Sequence, residues 1–300
     1  MPAIRERLNA FNSRGIIPTL RAMFYALVSL QVINNLQPQY QYLSHFTARA
    51  REKGELPIDC FADQSRRIIE EFDDRNETLN NYIERGLNHL ENAADNYPRT
   101  IPRWQSQPHY VEVWIEKDAL TGTFRAVLGD RQVRIVPNRR FSSVSFNYEN
   151  IRRLKSFQNE GKEIHIIYFG DLDPYGESIE DITNNKLCQY GVFDVDFQRI
   201  AVTEDQMNRF NLPHNPDPET LRKLRRDTRA RSFVQKHGAL FQIEVDALQA
   251  YAPDEFTTLA QRSVDKFFDE KIHQRIIAEY SPQTINRLAK KSLKSLLMRL

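Results

Sequence analysis

Residues 164–176 read IHIIYFGDLDPYG: an apolar, β-rich run stops at Gly170, and a turn bearing Asp171 and Asp173 follows, closed by Pro174 and Gly176. A short apolar run bounded by turn residues reads as a strand buried on both faces, as in a parallel sheet. The stretch 111–120, VEVWIEKDAL, repeats the form, with a strand over Val111–Ile115 ending at Glu116. Further apolar runs at Val133–Val136 and Ile200–Val202, with helical stretches between them, predict an α/β domain around a mainly parallel sheet. Glu116 and the Asp171/Asp173 pair then fall at strand carboxyl ends. In a parallel sheet those ends share one rim, where such folds gather their ligand sites.

Working outward, the composition shifts at Tyr97–Pro108, where three prolines stand among polar residues. This boundary divides the chain into 1–100 and 108–300. Before it, Leu20, Met23, Phe24, Leu27 and Val28 recur at helical spacing behind Pro18 and Thr19, predicting an amphipathic helix. A second helix is expected from about Gln39 to Lys53, with Tyr42, Leu43, Phe46 and Ala50 inward and a basic outer side that includes Arg49. A third, from about Glu77 to Asn92, carries Leu79, Ile83, Leu87 and Leu90 on one stripe. Short helices with a basic second member suit a mostly helical, winged-helix-like DNA-binding module. After Pro218 come a basic helix, the strand-like FQIEVDAL (241–248) and an amphipathic, lysine-rich tail over 285–300.

Length and composition set bounds. Three hundred residues with 40% hydrophobic content are enough for more than one core. The 42 basic and 40 acidic residues leave a net charge of only +2, so any nucleic-acid surface must be local. Cys60 and Cys188 have no metal or disulfide spacing and fit a reducing compartment. No long charge-free apolar run and no leader-like start occur, so a cytoplasmic chain without a membrane partner is expected.

Three carboxylates gathered on one rim repel: a pair about 4 Å apart costs roughly 4 kcal/mol at an effective dielectric near 20. A cation resolves this, and oxygen-only ligands favour Mg²⁺, or Mn²⁺, over zinc. Such an ion polarises a phosphoryl oxygen and steadies a leaving oxygen, which points to phosphodiester chemistry. The plain alternative is a solvated loop whose carboxylates are structural.

WIEKDAL and FGDLDPYGESI together resemble the two signature elements of the Toprim domain, shared by topoisomerase VI A subunits, the related meiotic double-strand-break protein and several bacterial nucleases. TLRAMFYALVS is similar to the Arg-x-x-aromatic-Tyr motif of the winged-helix domain in topoisomerase VI A subunits. VPNRRFSSVSF, between the two acidic motifs, is similar to the family's arginine-phenylalanine segment, FQIEVDAL to a later family strand bearing an acidic residue, and the order of these segments agrees. The layout looks closest to stand-alone prokaryotic Toprim proteins related to that subunit. The resemblance implies Glu116 as general acid/base and metal neighbour, Asp171 and Asp173 as magnesium ligands, Tyr25 as the DNA-attacking nucleophile with Arg21 assisting, and Glu244 on the acidic rim. It also implies DNA as partner and a homodimer. Two departures stand out: Leu172 replaces the glycine usual in the family's DxD turn, and Tyr25 lies closer to the N-terminus than in those subunits. No ATP-binding motif is evident, so ATP-driven action would need a separate ATPase partner.

Arg21, Tyr25 and Ser29 are four apart on a helix, on a flank from which the phenol reaches solvent. As nucleophile, Tyr25 needs a cationic neighbour because its pKa is high. Otherwise it caps the core edge and Arg21 forms a surface ion pair. Arg139 and Arg140 can clamp phosphates near the rim, as can Arg229 and Arg231 in the basic run after Pro218. Lys117 meets either a phosphate or a structural carboxylate. His165 reads as a satisfied core residue, and the other histidines show no metal spacing. The functional expectation is Mg²⁺-dependent DNA strand cleavage at this acidic site, with either Tyr25, as the resemblance implies, or a water as the attacking group. The alternatives are a hydrolytic Toprim nuclease, acting on DNA or RNA, and a non-catalytic DNA-binding subunit of a larger complex.

Overall fold

A computed structural model describes residues 1–62, 78–138, 144–280 and 282–298. Arg139 and Arg140 lie outside the described residues. Two compact units divide the chain: Met1–Arg66 with His109–Phe267, and Arg67–Pro108 with Phe268–Leu300.

The first unit is built on a four-stranded, all-parallel sheet of β1 (His109–Ile115), β2 (Arg134–Pro137), β3 (Glu163–Phe169) and β4 (Asp196–Ala201), in the order β2-β1-β3-β4. The α/β class expected from the apolar runs holds. The last strand runs four residues earlier at its start than its sequence run, because Asp196, Gln198 and Arg199 pair with β3 despite their polarity, with Phe197 buried between them. β1 and β3 are buried on both faces, which explains their near-continuous hydrophobicity. One face packs Tyr110, Trp114, Ile164, Ile166 and Tyr168 against Ile151, Leu154, Ile179 and Leu187 of the Val144–Asn159 and Ile179–Gln189 helices. On the other face Phe169 meets Phe124 and Phe256 edge-on, at ring separations of 4.8 and 5.9 Å. Among the described residues, no helix is long and apolar enough to cross a membrane.

The helix Leu20–Ser29 starts where Thr19 Oγ1 accepts from the backbone of Ala22 at 2.9 Å. It is not amphipathic in place: Ala22 through Leu27 are all buried, because the Val245–Tyr251 helix packs against it. Tyr25 is 0% exposed, so its phenol does not reach solvent as its helical position suggested. In the Gln37–Glu52 helix Leu43, Thr47 and Ala50 face inward, whereas Tyr42, expected inside, is 70% exposed and stacks on Phe46. FQIEVDAL is not a strand. Ile243 makes an isolated antiparallel bridge to Leu172, and a helix begins at Val245.

The second unit is helical in its described residues, with Leu79–Glu91, Ala93–Thr100, Glu270–Glu279 and Pro282–Leu297. Pro282–Leu297 packs on Ala93–Thr100, Trp104 sits edge-on to Phe268, and the Gln107 side chain bonds the Asp269 backbone through both its oxygen and its nitrogen. The stripe Leu79, Ile83, Leu87 and Leu90 stands 37–72% exposed.

One buried charge anchors the sheet. Glu112, 0% exposed in the middle of β1, accepts from Tyr110 Oη at 2.6 Å, from Trp114 Nε1 at 2.8 Å and from Arg153 Nε and Nη2 at 2.6 and 3.1 Å. Because residues two apart share a strand face, the tyrosine and tryptophan lie beside the carboxylate they satisfy. Arg153→Met leaves that buried carboxylate with only the more distant and exposed Arg134, 3.9 Å away, as countercharge and is expected to destabilise the protein by about 3 kcal/mol in urea unfolding. Glu112→Leu combined with Arg153→Met should recover most of the loss.

Candidate active site

The chain runs from β1 outward to β2 and returns on the other side of β1 as β3, so the order reverses between β1 and β3. The carboxyl ends of these two strands form the crevice at such a reversal. Glu116 and Lys117 leave β1 here, and Gly170–Asp173 leave β3. Glu116 N extends the ladder by donating to Phe169 O at 3.0 Å, and Asp171 N donates back to Glu116 Oε2 at 2.8 Å. Tyr168 Oη adds a longer contact to the same oxygen, at 3.3 Å.

The Asp-Leu-Asp turn is held from three sides. Leu172 exchanges two backbone hydrogen bonds with Ile243, at 2.9 and 3.0 Å, and buries its side chain. Asp173 caps the short helix that follows by accepting from Gly176 N at 2.7 Å. Arg199 of β4 donates to Asp171 O at 3.0 Å and to Val202 O at 2.8 Å. Gly176 is required by close approach: a Cβ there would stand 2.3 Å from both Asp171 O and Arg199 Nη2.

Six segments meet at this rim. The Gln242 amide donates to Asp171 Oδ2 at 3.0 Å and to Asp173 Oδ2 at 3.1 Å, while Val245 N donates to Asp171 Oδ1 at 2.9 Å. Lys117 Nζ lies among three carboxylates, 3.0 Å from Asp246, 3.3 Å from Asp171 and 3.6 Å from Glu244. Arg21 grips Glu244 through Nε at 2.5 Å and Nη2 at 3.3 Å, and its Nη2 also donates to Asn215 at 3.1 Å. Its guanidinium lies 5.4 and 4.6 Å from the ring centres of Tyr25 and Tyr40. Asp246, held by Thr19 Oγ1 at 2.8 Å, completes the group.

The electrostatics follow from burial and neighbours. Burial pushes the Asp171 carboxyl well above the usual range; Lys117 pulls it back, but Glu116, Glu244 and Asp173 add to the rise. For Asp246 burial acts the same way, yet attraction to Lys117 with hydrogen bonds from Lys117 and Thr19 outweighs it, and its pKa is lowered. Lys117 loses solvation, but its carboxylate neighbours more than restore the charge, so it stays an ammonium. Burial and then Glu244 raise the Tyr25 phenol far above its ordinary value, with Arg21 and Lys117 opposing. The Tyr25 hydroxyl is buried and makes no hydrogen bond.

The fold thus brings together Glu116, Lys117, Asp171, Asp173, Glu244, Arg21 and Tyr25. Lys117 is engaged by carboxylates. Arg229 stacks 4.8 Å from the Tyr175 ring, pairs with Asp227 and donates to Ser178 at 3.1 Å, which places it beside the turn. Arg49 and Arg231 are exposed. Sequence reasoning passed over Gln242, Asn215 and Asp246; the acidic member at 246 was open to view, two residues after Glu244.

The donor chemistry fits a hard divalent cation, since the three acids offer only oxygen and Mg²⁺ needs one or two carboxylates beside its waters. The shared Gln242 amide marks Asp171 and Asp173 as the pair that would hold it, with Glu116 behind them. Among the described residues, however, the set of three side chains whose ligand atoms all lie within 4.8 Å of one another is His109, Glu163 and His165, not the acids of this rim. In this arrangement the Lys117 ammonium supplies the positive charge.

Opposite pKa shifts give opposite pH signatures. Asp171, raised in the folded state, costs stability increasingly as pH climbs from its unfolded pKa, near 4. Asp171→Asn should therefore gain on wild type in unfolding free energy between pH 4 and pH 7 in metal-free urea titrations. Asp246, lowered when folded, contributes stability that is present above about pH 4 and lost as pH falls through its folded pKa. Asp246→Asn should therefore trail wild type by a nearly constant margin between pH 4 and pH 7 and close that gap as pH falls below about 4. Parallel curves for both variants would contradict this electrostatic picture. Comparisons of the chain with protein-family models, curated proteins and solved structures find no match, which leaves the chemistry of these side chains to say what the rim does.

Proposed function

We propose that this protein cleaves the phosphodiester backbone of DNA with the help of a divalent cation at the β1/β3 rim. The observation that carries this reading is the convergence of Glu116, Asp171 and Asp173 with Lys117, Glu244, Arg21 and Tyr25 at the reversal point of a parallel sheet. Structural carboxylates need no such crowd: each would be served by one donor, and gathering four at a buried rim costs stability unless charge is to be handled there. The resemblance of WIEKDAL and FGDLDPYG to the Toprim elements, and of the Arg21–Tyr25 segment to the topoisomerase VI A tyrosine motif, supports the same chemistry.

Asp171 and Asp173 would hold Mg²⁺ or Mn²⁺, which would supply polarisation of a phosphoryl oxygen and charge for the leaving oxygen. Glu116, held by the Asp171 amide, is placed to accept and return a proton as general acid/base. Lys117 exchanges a carboxylate for a phosphate oxygen when DNA arrives. Arg21 fixes Glu244 and the face of Tyr25. DNA contacts fall to exposed cations, Arg49 and Arg231 among them. A separate groove of about 770 Å³, lined by Arg134, Arg152, Arg153 and Lys155 with Glu149 among them, holds further cationic side chains away from the rim. The Toprim and winged-helix readings carry with them a homodimer and, for any ATP-driven action, a separate ATPase.

Water rather than Tyr25 is the attacking group favoured by one observation: the phenol is fully buried, unpartnered and held neutral. A nucleophile needs exposure and a base, and this hydroxyl has neither in the closed rim.

A supercoiled-plasmid assay with Mg²⁺ or Mn²⁺ tests the proposal, with products checked for protein attached to the broken ends. Wild type should nick, Asp171→Asn should not, and Glu116→Gln should slow the reaction about 10²–10⁴-fold. Tyr25→Phe should keep nicking and leave free ends; protein-linked ends in wild type, lost in that variant, would establish transesterification instead. Absence of metal-dependent nicking by the folded wild type, on DNA and on RNA, would overturn the enzymatic reading and leave a binding subunit.

A further inference from the structure

We propose a second cation site, for zinc or another late first-row divalent ion, formed by His109, Glu163 and His165 at the amino-terminal ends of β1 and β3. This is the end of the strands opposite the acidic rim. His109 and Glu163 are direct register partners across the two strands, and His165 stands two residues along on the same face. His165 Nε2 is 3.0 Å from His109 Nδ1 and 3.8 Å from Glu163 Oε2, and His109 Nδ1 is 3.2 Å from the same oxygen. A tetrahedral zinc ion, bound at about 2.0–2.1 Å, sets its ligands roughly 3.3–3.4 Å apart, and the three separations here bracket that spacing.

The second observation concerns the other nitrogen of His165. Nδ1 lies 2.7 Å from Asp196 Oδ2 on β4, and that carboxylate is itself held by Gln198 Nε2 at 2.5 Å. Donation of Nδ1–H to the carboxylate fixes the tautomer and leaves the Nε2 lone pair facing His109 and Glu163. This carboxylate–histidine arrangement is the one that orients metal-bound imidazoles. Stacking of the His165 ring on Phe267, at 3.9 Å between ring centres, holds it in plane. Two nitrogens 3.0 Å apart with a carboxylate beside them repel unless something positive lies between them: a shared proton or a metal. Glu163 is exposed and His109 half-buried, so an ion can enter and keep a water as fourth ligand.

Two imidazoles and one carboxylate select zinc, cobalt or nickel over magnesium, whereas the acidic rim prefers the hard ion. The two ends of the sheet therefore discriminate between cations. At this end the ion would tie β1 to β3 with β4 as support, closing a separation of 56 residues along the chain, and would stabilise the fold through binding to the native state alone.

The test is a zinc titration of untagged, chelator-stripped protein in millimolar Mg²⁺, by calorimetry and thermal unfolding, with Co²⁺ absorption as a spectroscopic check. Wild type should bind one zinc per chain below micromolar concentration and melt at higher temperature. His109→Gln and Glu163→Gln should each weaken binding at least tenfold while leaving metal-free melting within a few degrees, and Asp196→Asn should weaken it about 10–100-fold. Failure of the wild type to take up zinc below millimolar concentration, or equal binding by His109→Gln and Glu163→Gln, would overturn the proposal and leave a histidine–histidine hydrogen bond.

Discussion

A single ammonium sits among carboxylates that would otherwise repel one another at the end of a parallel sheet. Lys117 is within 3.6 Å of Asp246, Asp171 and Glu244, and each such contact is worth about 4 kcal/mol at 4 Å in an effective dielectric of 20, before desolvation is subtracted. Its position is set by backbone, since it follows Glu116 where β1 ends. Arg21 performs the same office for Glu244 from a different helix. The rim is thus a balance of buried charge, stable as it stands and sensitive to whatever cation or anion enters.

That balance explains why two aspartates on neighbouring segments behave oppositely. Asp246 makes the shortest of the three contacts to the lysine and is also held by a threonine hydroxyl, and these outweigh its burial, so it remains ionised. Asp171 shares the lysine with Glu244 and faces Glu116 and Asp173 besides, so burial dominates. Stability alone does not favour the second arrangement, in which burial and neighbouring carboxylates both oppose ionisation.

The parallel sheet and the positions of its acidic ends were legible because they depend on local signals: apolar runs, the stop at Gly170 and the turn residues Pro174 and Gly176. The residues that complete the rim depend on long-range packing. That Gln242 bridges Asp171 and Asp173 cannot be seen in FQIEVDAL, whose alternation suggested a strand while its backbone is claimed by one bridge and a helix start. Burial of Tyr25 escaped for a similar reason, since the face that helical spacing marks as outer is covered by the Val245–Tyr251 helix. Glu112 and the His109/His165 pair were hidden differently: strand register, not spacing along the chain, makes them neighbours.

The contacts that close the rim join residues very far apart in sequence: Arg21 to Glu244 across 223 positions, Thr19 to Asp246 across 227 and Lys117 to Asp246 across 129. Loops of that length are slow to close and give nothing back until both ends are ordered. The sheet, whose strands meet over shorter spans, can therefore assemble first, and the cluster of charges forms as a late step laid over it. Weakening one of these contacts would then hasten unfolding more than it slows folding. In kinetic terms, these long-range charge contacts are expected to form after the sheet and to open before it.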